Sequence, residues 1–425
     1  LKKVLIISPY FPPSNAADMQ RVRMSLPYFK EFGWEAEVVT VHEKYADLVK
    51  DDLLLQTIPK EIPVYKVKAF NKRYTSKLGL GSIALRSLWF YKQKVDHLLN
   101  SGKYDLIYFS TTQFPVCILG AGWKKRFHIP YIIDMQDPWH SDYYKNKPKN
   151  QRPAKYWFSY RLNKYLEPKA IKNADGLISV SESYINDLKS RYPEIKNIPA
   201  ATIPFGSFEP DLKIATSHKH EFKSLLDPAY KNLVYIGRGG NDMHKSIGVV
   251  FEALKKGLEQ NKDLKNLRFY FIGTSYAATG KGEKTILPLA KKYGIEEQVI
   301  EITNRISYYH TLITIQQADA LFVPGSDDAK YTASKIYPYL STGKPLLAVF
   351  NKKSPAINIL EEYGAPYVYN YEDVNREQLN NFLEKVVNDG FDKQKYNAIA
   401  IEKYSARQMT LQQCSLFDKV INGKN

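Results

Sequence analysis

Runs dominated by apolar residues alternate along this chain with stretches whose apolar residues recur at helical spacing. A short apolar run between turn signals predicts a strand buried on both faces, as in a parallel sheet. In the first half these runs are Val4–Ile7, Glu37–Thr40, Tyr65–Val67, Leu106–Phe109, Tyr131–Ile133 and Leu177–Val180. In the second half they are Leu233–Ile236, Phe269–Ile272, Val299–Ile302, Ala320–Val323 and Leu346–Val349. Between them, segments such as SIGVVFEALKKGL place Ile247, Val250, Phe251 and Leu254 on one helical face. The alternation predicts α/β layers around parallel sheets. A chain of 425 residues is long enough for two cores. The segment between Pro204 and Tyr230, with Pro, Gly, charges and a short helix expected over His220–Leu226, reads as the hinge.

Two strand-to-helix junctions in the second half carry the chemistry. After Leu233–Ile236 comes GRGGNDMHK, in which Gly237, Gly239 and Gly240 let backbone amides approach a ligand. Arg238 offers a planar fork for phosphate oxygens, and Lys245 adds a compact charge at a helix start. After Ala320–Val323 comes YTASKIYPYLSTGKP, with a short helix expected over Ser334–Leu340. Thr332 and Ser334 are placed to cap its first turn, with Lys335 close by and Gly343 as the stop. Two cation-rich junctions in one Rossmann-like half favour a bound diphosphate over two plain helix caps. A third glycine-rich segment, GTSYAATGKGEKT from Gly273, departs from a phosphate-binding P-loop: six residues separate its glycines, and Gly282 follows Lys281 where Ser or Thr is needed.

Charge and cysteines narrow the class. The net charge of +17 is concentrated in residues 1–200, which hold 32 Lys/Arg against 19 Asp/Glu. It is densest from Ser141 to Lys169, where eight Lys/Arg and two acids interleave with Tyr143, Tyr144, Tyr156, Trp157, Phe158, Tyr160 and Tyr165; RSLWFYKQK at Arg86–Lys94 is a second such stretch. Cations mixed with aromatics suit peripheral contact with an anionic membrane, or equally a solvated face over core aromatics. No nucleic-acid motif accompanies them, so nucleic acid is not an expected partner. Cys117 and Cys414 lack metal-ligand spacing, which points to no metal, no disulfide framework and a reducing, cytoplasmic compartment. The apolar run behind Lys2 and Lys3 is too short for a signal peptide, and none reaches the ~20 residues of a spanning helix.

The chain resembles the retaining family-four glycosyltransferases through nearly its whole length. The resemblance rests on ISPYFPPSNAADMQRVR (Ile7–Arg23), IPYIIDMQDPW (Ile129–Trp139), ADGLISVSESYINDL (Ala174–Leu188) and the Arg238/Lys245 pair. It implies a GT-B fold: two Rossmann-like domains facing across a cleft, residues 1–207 on the acceptor side and 208–405 binding a nucleotide sugar, with the helix near 406–421 crossing back to complete the first. It implies a hexosyltransferase-type enzyme that moves a sugar from a UDP- or GDP-type donor to a glycan or lipid-linked acceptor, without a cofactor, in surface polysaccharide or glycoconjugate assembly. Arg238 and Lys245 would hold the donor diphosphate, Asp137 would act on the acceptor, and Arg305 and Ile306 would lie near the base. Asn15 and Arg21 would line the cleft loop, with Asp134 as a substitute acid. Asp137 reads equally as a cap of its turn with Pro138. One departure stands out: Lys330 and Pro338 occupy the places of the family's paired glutamates, and Asp327 and Asp328 read either as replacement acceptors for the donor ribose or as a solvated loop tip. The alternatives are a non-catalytic nucleotide- or glycan-binding scaffold and a sugar-nucleotide epimerase.

Overall fold

The computed structural model describes residues 1–149, 152, 153, 155–277, 280–329, 331, 333–392 and 394–423. The chain divides into two compact units, Leu1–Gly206 with Ala406–Asn425, and Ser207–Ser405. Each is built on one all-parallel sheet.

The first sheet has seven strands: β1 (Lys2–Ile7), β2 (Trp34–Val41), β3 (Val64–Val67), β4 (Leu106–Ser110), β5 (Tyr131–Met135), β6 (Gly176–Ser179) and β7 (Ala200–Thr202). Their order is β3-β2-β1-β4-β5-β6-β7. The central strands β4 and β5 are buried at every position, as apolar runs covered on both faces must be. The last long helix, Ala406–Asn422, belongs to this unit. Its Phe417 packs against Phe29, Trp34 and Tyr108, and its Asp418 accepts from the Trp34 indole at 3.1 Å.

The second sheet has six strands: β8 (Lys231–Ile236), β9 (Leu267–Ile272), β10 (Val299–Ile302), β11 (Ala320–Pro324), β12 (Leu346–Phe350) and β13 (Tyr367–Asn370). They run in the order β10-β9-β8-β11-β12-β13. In both sheets the strand order reverses beside the first strand, between β1 and β4 and between β8 and β11. Loops leaving the carboxyl ends of such a pair diverge, and the crevice between them is where open α/β sheets bind ligands.

Two strands escaped the sequence reading, β7 and β13. Both are edge strands; β7 is Ala-Ala-Thr, and β13 is half-exposed throughout, so neither shows a buried apolar run. The helix expected over His220–Leu226 is absent. A helix runs instead over Glu209–Ser217, started by Pro210 in its first turn, and only a short 3₁₀ turn follows at Lys219–Glu221. No helix among the described residues is long and apolar enough to cross a membrane.

Candidate functional site

At the second unit's reversal point the loop after β8 and the loop after β11 are bolted together. Arg238 donates through both terminal nitrogens to Asp242, at 2.9 and 2.7 Å. The same carboxylate accepts from Ser326 at 2.6 Å, and the Asp242 carbonyl from the Asp327 amide at 2.8 Å. Burial opposes ionisation of Asp242, yet the bonds from Arg238 and Ser326 outweigh it and hold its carboxyl below the usual range. Ser246, in the first turn of the His244–Gln260 helix, donates to the Gly325 carbonyl at 2.7 Å, and the Tyr339 hydroxyl accepts from the Ile236 amide at 2.8 Å.

Lys335 is the centre of this arrangement. Its ammonium lies 5.3 Å over the Tyr235 ring and directly above Gly237, where an added Cβ would overlap it. Burial, then the nearby Arg238 and Arg305 cations, push its pKa down from 10.5 to about 8. Arg305 follows β10 and rests over the exposed Tyr276 ring at 4.9 Å. Lys335 over Gly237, with Arg238 and Arg305 close enough to depress its pKa and Asp242 paired only with the end of the Arg238 fork, is an arrangement suited to an anion of more than one charge. Alanine at Gly237 is expected to displace Lys335 and weaken binding of inorganic pyrophosphate at least about tenfold, the effect of losing one charged hydrogen bond; equal affinity in a pyrophosphate titration would count against an anion site there.

Three expectations change here. The helix after the second loop spans only Ile336–Ser341: Lys335 is its N-cap residue, no side chain caps it, and Ser334 is exposed in the preceding turn. The cation cluster is therefore made by side chains, not by that helix start, and the amides of Gly237 and Gly239, expected to face a ligand, instead donate to the Ile272 and Thr274 carbonyls, both at 2.8 Å. Lys245 is exposed, with its ammonium 5.9 Å over the Tyr371 ring, while Lys335 takes the place beside Arg238. The reason is periodicity: two residues before Ile247 is roughly 200° around the helix, away from the face that Ile247, Val250 and Leu254 bury. Thr332 and Lys330 lie outside the described residues, and Pro338 is half-buried within the short helix. Ile306 is half-buried just beyond Arg305.

In the first unit, the candidates Arg21 and Asp134 prove to be a core pair. Both are fully buried, with Arg21 Nε 2.7 Å from Asp134 Oδ2. Arg21 also donates to the Ile203 carbonyl at 2.7 Å, while Ser110 and Gln136 donate to Asp134 at 2.9 and 3.0 Å. With their charges spent on each other, neither is available to a ligand. Asn15 is half-buried, its amide on the Val49 carbonyl at 2.8 Å. Asp137, by contrast, is exposed and lines a cavity of about 540 Å³ with Phe114, Trp139, Phe158 and Leu162.

Sequence reading passed over Asp242, Asp18 and Glu301. Asp242 stands four residues after Arg238, a spacing that pairs opposite charges whenever the chain coils. Asp18, between β1 and the Gln20–Ser25 helix, accepts from Thr111 and the Thr112 amide at 2.9 and 3.0 Å, and burial raises its pKa despite those bonds. Glu301 accepts from the Thr285, Ile286 and Leu287 amides at 3.1, 3.0 and 2.7 Å, and so anchors the glycine-rich Gly273 loop as structure.

Residues 28–206 match the family model described as Glycosyltransferase Family 4. No curated protein matches the chain. Among solved structures, HepE from Anabaena in complex with UDP is similar at 16% identity and TM-score 0.57, over 98% of this chain and 100% of its own. WaaG, a glycosyltransferase involved in lipopolysaccharide biosynthesis, is similar at 15% identity and TM-score 0.53, over 99% and 98%. An α,α-trehalose 6-phosphate synthase from Burkholderia multivorans is similar at 9% identity and TM-score 0.59, over the whole of both chains. The two parallel sheets are those of a GT-B fold.

Proposed function

We propose, from the premise that this is a family-four-like chain of GT-B fold, that it moves a hexosyl group from a nucleotide-diphosphate donor to a glycan or lipid-linked acceptor. The observation that carries this reading is the Lys335 ammonium over Gly237, with Arg238 and Arg305 close enough to lower its pKa, at the second sheet's reversal point. In the transfer, the acceptor hydroxyl oxygen bonds to the donor's anomeric carbon while the bond from that carbon to the diphosphate oxygen breaks. The bonding pair leaves with the diphosphate, and the hydroxyl proton passes to Asp137. The charge that grows on the diphosphate is met by cations already in place, so little reorganisation is needed as the bond breaks. Arg238 uses one edge of its guanidinium on Asp242, which leaves the Nε edge for a phosphate oxygen. Asp327 or Asp328 accepts the donor ribose in place of the family's glutamate. Retention of anomeric configuration and a role in surface glycoconjugate assembly belong to the same reading. The descriptions of HepE with UDP and of WaaG in lipopolysaccharide biosynthesis support it.

Thermal shift with UDP and GDP tests the donor site, and slow hydrolysis of one sugar nucleotide then distinguishes an enzyme from a scaffold. The pH dependence is specific. Between about 8 and 10.5 the unfolded chain holds the Lys335 proton more tightly than the folded one, so unliganded stability rises with pH through that window. A diphosphate needs Lys335 charged, so UDP affinity falls over the same window, approaching about tenfold per pH unit. UDP affinity that is flat across that window would remove Lys335 from the site. Peripheral membrane contact through the basic aromatic stretches predicts co-sedimentation with phosphatidylglycerol vesicles at low salt and release at high salt; absence from the low-salt pellet would exclude it.

A further inference from the structure

Three loops that leave the carboxyl ends of β1, β4 and β5 meet at one buried carboxylate. Asp18, in the loop after β1, is 4% exposed. Its Oδ2 accepts from the Thr111 hydroxyl at 2.9 Å, the Thr112 amide at 3.0 Å and the Thr112 hydroxyl at 3.2 Å, all in the loop after β4. The Thr111 hydroxyl in turn accepts from the Gln113 amide at 2.8 Å. The main-chain carbonyl of Asp18 accepts from the Gln136 side chain at 3.1 Å, in the loop after β5. Gln136 also donates to Ser110, the last residue of β4, at 3.0 Å, so the three strand ends close on one another around Asp18.

A buried carboxylate is costly when its donors are neutral, as these three are, and burial raises its pKa accordingly. Asparagine would fill the same space at lower cost, so packing does not account for the charge. What the charge adds is strength, because hydrogen bonds to an ionised acceptor are roughly twice as strong as neutral ones. That strength is applied to the walls of the cavity beside Asp137. Thr112, Gln113 and Phe114, just after β4, line it on one side, and Asp137, Pro138 and Trp139, just after Gln136, line it on another. Phe114 and Trp139 stack at 5.5 Å where the two segments meet. We propose that Asp18 is a positioning residue for the transfer: it fixes residues 112–114 and 136–139 to the loop after β1 and so sets the direction of the Asp137 carboxylate toward the acceptor hydroxyl. Asp18 acts through Asp137 and touches no substrate itself. The inference rests on the transferase reading for the role of Asp137, while the hold of Asp18 on the two loops is independent of the donor site.

Asp18→Asn in the full chain keeps the shape of the side chain and removes its charge. Hydrogen exchange read by mass spectrometry is expected to be at least about tenfold faster in residues 111–114 and 136–139, with residues 237–245 of the second unit unchanged. Turnover of the sugar nucleotide selected by thermal shift should fall about tenfold while the donor KM stays within about twofold, because Asp137 is still present but no longer held in place. In an Asp137→Asn background the same substitution should cost less than about twofold, since residues that act as a unit are not additive. A merely structural Asp18 would cost the same in both backgrounds. Should Asp18→Asn fail to fold, Thr111→Val with Thr112→Val removes both hydroxyl donors from the opposite side and is expected to give the same pattern. Wild-type exchange in the two segments, a change confined to the donor KM, or an equal loss with and without Asp137 overturns the proposal. A wild-type chain that neither responds to UDP nor turns over a sugar nucleotide would sink the transferase reading instead, and exchange in the two segments then still decides whether Asp18 holds them.

Discussion

Alanine in place of Arg238 is expected to lower turnover at least about a hundredfold, the scale of removing one preorganised charged donor from a site of developing negative charge. The loss has two parts. A phosphate contact disappears, and Asp242 is left as a half-buried carboxylate that keeps the Ser326 bond but has lost its cation, next to the proposed diphosphate. Repulsion from that carboxylate adds to the lost attraction. Arg238→Ala combined with Asp242→Ala should therefore recover part of the turnover that Arg238→Ala loses, and an unchanged melting temperature in Arg238→Ala separates a lost ligand contact from a lost structural one. Steady-state rates with the donor identified by thermal shift provide the measurement. Near-normal turnover in Arg238→Ala would remove the site from the second sheet's reversal point altogether.

What was readable in advance follows from which forces act locally along the chain. The central strands of both sheets are apolar runs because helices cover both their faces, and β4, β5, β11 and β12 announce themselves in sequence. At the edges, β7 and β13 are held by hydrogen bonds to one neighbour and little burial, so composition does not mark them. Lys335 was legible as a cation at a junction, whereas its position over Gly237 depends on the turn that delays the short helix to Ile336. The outward face of Lys245 was contained in the same periodicity that identified its helix. The Arg21–Asp134 pair was not legible, because the partners are 113 positions apart and meet only once β5 lies in the sheet. Their separate motifs suggested ligand contacts, and only the fold reveals that each neutralises the other.

That pair yields the largest expected change in stability. Asp134→Ala should destabilise the first unit by about 3–5 kcal/mol, the cost of leaving one member of a buried ion pair uncompensated. Arg21 would keep only its bonds to the Ile203 and Pro204 carbonyls, and Ser110 and Gln136 would each lose an acceptor. Replacing both partners, Arg21→Met with Asp134→Leu, removes the charges together and should cost much less than Asp134→Ala alone. Urea unfolding followed by tryptophan fluorescence isolates this unit, since every tryptophan lies within it. UDP binding in the second unit should persist in Asp134→Ala at urea concentrations where the first unit has begun to unfold. If Asp134→Ala unfolds at the wild-type urea midpoint, or if the double replacement is the worse of the two, the pair is not the electrostatic anchor its burial and geometry indicate.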